Sequence, residues 1–172
     1  MDDGKPFRID GLMARDIPDL RKIIEAWIRK DGQPIAEEIE QTVAVLKAAA
    51  GGNGDLYLVA REPDGKPAGV MGCGMPDDRF LPYRSSPHAR AAGLKTAFLS
   101  PDVRGRGLGK QLMESLFKAA GEAGWTEMLW SSNPRYRNTA WNFYTVLAGE
   151  PVGILEDFFG VGSRTPVWRK PL

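Results

Sequence analysis

The sequence predicts an α/β fold in which helices flank a mixed, mostly antiparallel central sheet. The chain has 172 residues, about the length of one domain, so residues 1–172 are expected to form a single domain. Its composition, 42% hydrophobic and 26% charged, is typical of a folded globular protein. Apolar residues change repeatedly between helical and strand spacing. The predicted order of elements is β-α-α-β-β-β-α-β-α-β-β.

Local signals define the elements of the first half of the chain. Asp16 is a candidate N-cap for a run of apolar residues at helical spacing, which stops at Asp31-Gly32. Farther along, Asp64-Gly65 predicts a tight hairpin turn between two strands. The expected elements are a strand at 6–10, a helix to about Lys30, a second helix ending at Gly51-Gly52, and strands at 55–62 and 67–75.

The second half begins with a long loop, residues 76–92, which contains three prolines. Loops of this length in compact domains are often functional. An amphipathic helix follows a glycine-rich turn and ends at Gly124. The other expected elements are a strand at 93–100, a strand at 126–131, a helix at 138–148, and a closing hairpin of strands 150–157 and 164–170.

Composition argues against several classes of protein. The net charge is +1, far less than is usual for a protein that binds duplex DNA. One cysteine, Cys73, excludes an internal disulfide, and one histidine, His88, leaves a zinc site short of ligands. The amino terminus lacks the apolar segment of a signal peptide, and no apolar run approaches the roughly 18 residues that span a bilayer. We therefore expect a cytoplasmic protein without a metal, nucleic-acid or membrane partner.

The most informative segment is SPDVRGRGLGK, residues 100–110, which joins a predicted strand to a predicted helix. It contains three alternating glycines and three cations: Gly105, Gly107, Gly109, Arg104, Arg106 and Lys110. Such glycines let the backbone approach a ligand closely, and the start of the helix adds unpaired N–H groups and a positive dipole. These features predict a pyrophosphate site. The Walker A and GxGxxG patterns do not match this spacing.

The pattern Arg104-x-x-Gly107-x-Gly109 resembles the acetyl-CoA loop of the GNAT superfamily of N-acetyltransferases. The segment NTAWNFYTVLAG, residues 138–149, resembles a later helix of that family, with Asn138 and Tyr144 at the matching positions. The match is inexact at Ala140, which is one place early. It also departs at Glu150, where the family usually has phenylalanine. The resemblance covers residues 55–172 best.

The resemblance implies an acetyl-CoA-dependent enzyme and assigns roles to particular residues. Backbone groups of Phe98 and Leu99 would bind the pantetheine arm, and the Leu99 N–H would polarise the acetyl carbonyl. Asn138 would contact the arm, and Tyr144 would protonate the departing thiolate. The residues whose amides would hold the pyrophosphate are Arg104, Gly105, Arg106, Gly107, Leu108, Gly109 and Lys110.

The residue that would deprotonate the acceptor amine is not apparent from the sequence. Some family members use a carboxylate on the strand before the glycine-rich turn, but residues 93–98 here contain no Asp or Glu. Weaker candidates are Glu127, Asp77, Asp78 and His88, each more simply explained as a surface group. The acceptor is expected to be a primary amine of a small molecule or peptide, bound by residues 76–92 and the first two helices. Family members are often homodimers.

Other readings of the same residues remain open at this stage. One alternative takes the glycines as a helix cap alone, and another takes Tyr144 as a core aromatic alone. A protein of this fold that binds acyl-CoA without catalysis, as a sensor, is the principal functional alternative, and the missing carboxylate motivates it. A nucleic-acid module that uses the basic second half is less compatible with the low net charge.

Overall fold

The computed structural model describes residues 6–172. Within this range seven strands form one sheet in the order β1-β4-β5-β6-β7-β9-β8, and the pair β2-β3 forms a separate small hairpin. The strands are β1 (Arg8–Gly11), β2 (Arg29–Lys30), β3 (Gln33–Pro34), β4 (Leu56–Arg61), β5 (Pro67–Gly74), β6 (Ala91–Leu99), β7 (Glu127–Trp130), β8 (Gly153–Glu156) and β9 (Arg164–Pro171). The helices are α1 (Ile17–Trp27), α2 (Ala36–Ala50), α3 (Leu108–Glu122) and α4 (Trp141–Ala148). The predicted α/β class, with a mostly antiparallel sheet flanked by helices, is confirmed.

The described chain divides into two compact units. The N-terminal unit holds the residues up to Cys73 together with Thr96–Leu116, and the C-terminal unit holds Gly74–Lys95 together with Phe117–Leu172. β6 contributes to both, because the boundary falls between Lys95 and Thr96.

Helices α1 and α2 cover one face of the sheet in the N-terminal unit. Their apolar stripes pack on Tyr57, Val59 and Val70, which share that face at alternate positions of β4 and on β5. The Tyr57 ring lies over Gly72, its partner on β5, and a Cβ at Gly72 would come within 2.4 Å of the ring. Across this glycine the Tyr57 hydroxyl forms a 2.8 Å hydrogen bond with Thr96 of β6. Glycine is therefore required at position 72 for the aromatic ring to cross the sheet.

In the C-terminal unit β6 and β7 run parallel over residues 91–93, with Ala91 opposite Glu127. β9 then pairs antiparallel with β7 on one side and with β8 on the other. A small core forms around Phe80, Leu129 and Val167. The closing hairpin expected from the sequence is present, although its first strand begins at Gly153.

The end of the first helix differs from the prediction. α1 stops at Trp27, and residues 29–30 turn back as β2 to pair with β3. Asp31 and Gly32 form the tight turn between them, with φ of 51° and 76°. Positive φ at both positions suits a two-residue hairpin turn, which explains why the helix cannot reach Lys30.

Asp16 stands at the N-cap position of α1, but its carboxylate does not cap the helix. Instead it accepts two hydrogen bonds from the guanidinium of Arg61, at 2.6 and 2.8 Å, and one from the Met13 N–H at 2.9 Å. Arg61 is 1% exposed and also donates to Asp10 at 2.5 Å. The expected capping role of Asp16 is therefore wrong, because its carboxylate forms two charge-assisted hydrogen bonds with the buried guanidinium of Arg61 instead.

Burial by itself would raise the pKa of Asp16, but the hydrogen bonds from Arg61 and Met13 outweigh burial and lower it. The ionised Asp16 therefore stabilises the folded protein fully above the ordinary aspartate pKa. This contribution to the free energy of unfolding is lost as the pH falls through the lower pKa of the folded state.

Replacing Arg61 by methionine leaves Asp16 buried without its cation. We expect a loss of about 3–5 kcal/mol in the free energy of unfolding, measured by urea denaturation, and a smaller loss for Arg61→Lys, which keeps the charge without the planar fork. The matched control is Arg164→Met, which breaks an exposed pair with Glu156 and should cost less than about 1 kcal/mol. Equal effects of the two methionine variants would contradict the assignment.

Candidate active site

The end of β6 is held from two sides in the N-terminal unit. The N–H of Ser100 donates to the carbonyl of Ala68 on β5, at 2.7 Å. The carbonyl of Leu99 belongs to the same peptide group and points the opposite way, where it accepts a 2.7 Å hydrogen bond from the indole Nε1 of Trp27. The peptide group that leads into the glycine-rich turn is thus fixed at both its donor and its acceptor.

Ser100 also shapes the turn that follows. Its carbonyl accepts from the N–H of Val103, and its hydroxyl accepts from the N–H of Asp102 at 3.4 Å, within a short 3-10 turn at Pro101–Val103. Val103 is buried and anchors this turn. The chain then enters the glycine-rich segment from a defined point.

Gly105 and Gly107 adopt left-handed backbone conformations, with φ of 75° and 77°. A Cβ placed on either residue would meet no protein atom within 4 Å. Glycine is therefore required here for its φ angle and not for packing. The open space above both residues leaves their backbone accessible to a ligand.

Helix α3 begins immediately after these glycines. Leu108 is 1% exposed and anchors the first turn, while the N–H of Gln111 donates to the carbonyl of Gly107 at 3.2 Å. No acidic residue lies in that turn. Lys110 is exposed and pairs loosely with Glu114, at 3.9 Å. The first N–H groups of a helix lack intrahelical partners, so this end can accept an anion.

Both arginines of the glycine-rich segment lie over aromatic rings of the N-terminal unit. The Arg104 guanidinium is 5.0 Å from the ring centroid of Trp27, and that of Arg106 is 4.8 Å from the centroid of Phe7. These cation–π contacts hold the positive charges close to the turn. Sequence analysis identified the arginines but not the rings, because Trp27 fits the apolar stripe of α1 and gives no separate signal.

Tyr144 belongs to the C-terminal unit and is buried in an aromatic cluster. Its ring centroid lies 5.7 Å from that of Trp130 and 5.2 Å from that of Trp168. Burial, and to a lesser degree Tyr136, raises the pKa of the phenol well above its ordinary value. The phenol therefore keeps its proton at neutral pH. Asn138 is exposed in the turn that precedes α4, because the helix begins at Trp141 and not at 138.

The structure gives the candidate bases other roles. Asp77 binds the Arg79 side chain through both carboxylate oxygens, at 3.0 Å each, which with the Arg79 N–H lowers the pKa of Asp77 to about 2. Glu127 is buried, contrary to its reading as a surface group, and accepts a hydrogen bond from the Ser85 N–H. Asp78 and His88 are exposed. A carboxylate with so low a pKa is a weak base.

The described residues contain neither a metal-binding cluster nor a membrane-spanning helix. Across residues 6–172, no three His, Cys, Asp or Glu side chains come together in an arrangement that could hold a metal ion. In the same range no helix combines the length and the apolar character needed to cross a membrane.

A family model described as the acetyltransferase (GNAT) family matches residues 20–149. This match spans most of the chain and includes the glycine-rich turn, α3 and Tyr144. The chain therefore belongs to the GNAT family of acetyltransferases. No curated protein matches the sequence.

Solved structures of acetyltransferases share the fold at low sequence identity. A protein assigned to the GNAT family from Desulfovibrio desulfuricans has a TM-score of 0.74 at 16% identity, over 96% of this chain and 97% of the other. A phosphinothricin acetyltransferase from Sinorhizobium meliloti, solved with acetyl-CoA, has a TM-score of 0.71 at 19% identity, over 98% and 89% of the two chains. An aminoglycoside 6'-acetyltransferase type Ii has a TM-score of 0.72 at 14% identity, over 95% and 96%.

Because burial raises the pKa of Tyr144, we expect its phenol to stay protonated, and to give no absorbance change, in a titration up to about pH 10. In the folded protein, Tyr144→Phe should leave the absorbance change from phenol ionisation unaltered up to about pH 10, where an ordinary tyrosine is half ionised. Tyr57→Phe is the matched comparison, because burial raises the pKa of Tyr57 to about 12 against a lowering hydrogen bond from Thr96. Loss of a phenol that titrates near pH 10 in Tyr144→Phe would contradict this assignment.

Proposed function

We propose that the protein is an acetyl-CoA-dependent N-acetyltransferase that transfers the acetyl group to a primary amine of a small molecule or peptide. The observation that carries the proposal is the turn at residues 104–110, with two glycines at positive φ, open space above them and the N-terminus of α3 directly after them. We further propose that the two compact units act together as a single acetyltransferase domain. Family membership and the shared fold of acetyltransferases support both statements.

The glycine-rich segment suits the pyrophosphate of acetyl-CoA. We assign the backbone N–H groups of residues 105–110 to it, with the side chains of Arg104, Arg106 and Lys110 supplying positive charge. The Arg104 N–H is not included, because it donates to the Pro101 carbonyl at 3.5 Å. Phe98 is assigned to the pantetheine arm and Leu99 to the thioester at the end of that arm, both through their backbone. Phe98 packs against the core of the N-terminal unit, which keeps the strand end rigid. Asn138, exposed in its turn, is assigned to the same arm.

Acetyl-CoA, when bound, supplies a thioester that an amine can attack directly in a ternary complex. In that reaction the amine nitrogen would form a bond to the acetyl carbon, the carbon–sulfur bond would break, CoA would leave as a thiolate, and the proton of the amine would pass to water. We assign the Leu99 N–H to the acetyl carbonyl, where it would stabilise the developing negative charge. The Leu99 carbonyl already accepts from Trp27, so it is not assigned to the arm.

Tyr144 is proposed as the acid that protonates the thiolate. Its phenol is neutral at physiological pH because burial raises its pKa, so a proton is available on Oη. The same burial makes proton transfer from this phenol to the CoA thiolate less favourable in isolation, since a thiol is ordinarily a stronger acid than a phenol by about 1.5 pKa units. Positioning within the aromatic cluster must therefore compensate, and Trp130 and Trp168 supply it by fixing the ring.

The acceptor class rests on the named activities of the structural neighbours. One is a phosphinothricin acetyltransferase and another an aminoglycoside acetyltransferase, both named for small-molecule substrates. We propose a small-molecule amine as the first class to screen. Glu127, bound to the Ser85 N–H, and Asp77, bound to Arg79, are not proposed as bases.

Substituting Gly107 tests the cofactor site. Gly107→Glu places an anionic side chain in the open space and should abolish the thermal shift caused by acetyl-CoA. In the wild type, ligand at about 100 times its dissociation constant adds about 2.7 kcal/mol, roughly 5–10 °C in melting temperature.

The matched control for this substitution is Gly52→Glu. Gly52 also has positive φ, 89°, and nothing within 4 Å of a Cβ, but it lies after α2. Both variants should lose similar stability without ligand, about 1 kcal/mol from the backbone strain, and only Gly52→Glu should keep the shift. A wild-type protein that gives no shift with acetyl-CoA would refute the proposed function.

Tyr144→Phe tests the proposed acid. We expect kcat to fall by about a hundredfold with little change in KM for acetyl-CoA, measured by thiol release with the best amine from a panel. Tyr57→Phe is the control, because it removes a buried hydroxyl that is not assigned to the reaction. An unchanged kcat in Tyr144→Phe would refute this role, and acetyl-CoA binding without transfer to any amine would favour the sensor alternative.

A further inference from the structure

We propose that Trp27 is a positioning residue for the acetyl-CoA site. Its indole orients the peptide group that ends β6, and it holds the guanidinium of Arg104 at the start of the glycine-rich turn. The inference rests on the proposed function, in that it concerns how the same cofactor is held. All the contacts that support it lie within the N-terminal unit.

The first contact fixes a backbone orientation. Neighbouring strands ordinarily satisfy both polar groups of a peptide in a sheet. At Leu99–Ser100 the N–H is satisfied by Ala68 of β5, whereas the carbonyl is satisfied by a side chain, the Trp27 indole, at 2.7 Å. Rotation of this peptide group would break both hydrogen bonds. The Trp27 N–H thereby holds the Leu99 carbonyl, and with it the end of β6, in one orientation.

The second contact fixes a cation. The Arg104 guanidinium lies 5.0 Å from the centroid of the Trp27 ring. Arg104 follows the 3-10 turn at Pro101–Val103, so the indole contacts the chain on both sides of that turn. One rigid side chain thus links the strand end, through its N–H, to the start of the glycine-rich segment, through its π face.

Trp27 can hold both contacts because its backbone belongs to a packed helix end. It is the last residue of α1, and the residues around it on the inner face of the helix, Ile23, Ile24 and Ile28, are at most 7% exposed. The Ile28 N–H closes the helix on the carbonyl of Ile24 at 3.0 Å, and the Ile28 carbonyl then accepts from Ile35 at 3.0 Å. The indole is therefore presented from a packed helix end.

The two contacts can be removed one at a time. Trp27→Phe keeps an aromatic ring for Arg104 and removes the N–H, and Trp27→Leu removes both. We expect the dissociation constant for CoA, measured by calorimetry, to rise about fivefold in the first variant and about tenfold or more in the second. KM for acetyl-CoA should rise in parallel with this dissociation constant, and kcat should fall as well, because Trp27 orients the Leu99 backbone whose N–H is assigned to the developing charge.

Trp125→Phe is the matched control. Trp125 also carries an arginine over its ring, Arg90 at 5.9 Å, but it lies in the C-terminal unit and has no assigned role in binding. This variant should bind CoA as the wild type does. If it weakens CoA binding as much as Trp27→Phe does, the effect is a general consequence of losing a tryptophan and the proposal is overturned.

A spectroscopic readout reports the hydrogen bond directly. With ¹⁵N-labelled indoles, the signal missing from Trp27→Phe identifies the Trp27 N–H. We expect that signal to exchange slowly with solvent and to shift when CoA is added to the wild type. A rapidly exchanging Trp27 N–H that ignores CoA would overturn the proposal.

These measurements distinguish a failure of the proposed function from a failure of the role proposed for Trp27. If the wild type does not bind CoA, the proposed function fails first. If the wild type binds and Trp27→Phe binds equally well, only the role of Trp27 fails. Should the phenylalanine variant not fold, benzothienylalanine at position 27, which keeps the shape of the indole and lacks the N–H, gives the same comparison. Normal CoA affinity with that side chain would overturn the proposal.

Discussion

The peptide group between Leu99 and Ser100 is the point on which the arrangement of the glycine-rich segment depends. β6 ends at Leu99, and the chain then enters turns in which the backbone of Gly105 and Gly107 is accessible to a ligand. The end of β6 is half-buried, and a peptide group that is shielded from water and unpaired costs about 1–3 kcal/mol. Ala68 satisfies the N–H and Trp27 satisfies the carbonyl, so the strand ends without an orphaned group.

A second constraint lies at the other end of α1. The buried guanidinium of Arg61 gathers Asp16, Asp10 and the carbonyl of Gly11, which joins β4 to β1 and to the residues that lead into α1. A charge removed from water in this way is tolerated only when its donors are paired. The helix that presents Trp27 is therefore held at its beginning by an ion pair and along its length by apolar packing.

The C-terminal unit contributes a different kind of environment. Around Tyr144 the neighbours are aromatic, so the phenol loses hydration and its proton is held tightly. Two carboxylates of this unit, by contrast, accept hydrogen bonds within the protein: Asp77 from Arg79 and Glu127 from the Ser85 amide. The unit thus offers a neutral phenol, and the pKa of its Asp77 carboxyl is lowered by the hydrogen bonds from Arg79.

Much of the fold and part of the candidate site are determined by the sequence itself, because the signals are local. The order of helices and strands follows from spacing, and Gly105 and Gly107 adopt the left-handed conformation that the glycine-rich segment predicts. Contacts between distant residues were decided only by the tertiary structure. Trp27 meets Leu99 across 72 positions, and Asp16 meets Arg61 across 45. No spacing rule links residues so far apart, because the geometry that unites them exists only after the helices pack on the sheet.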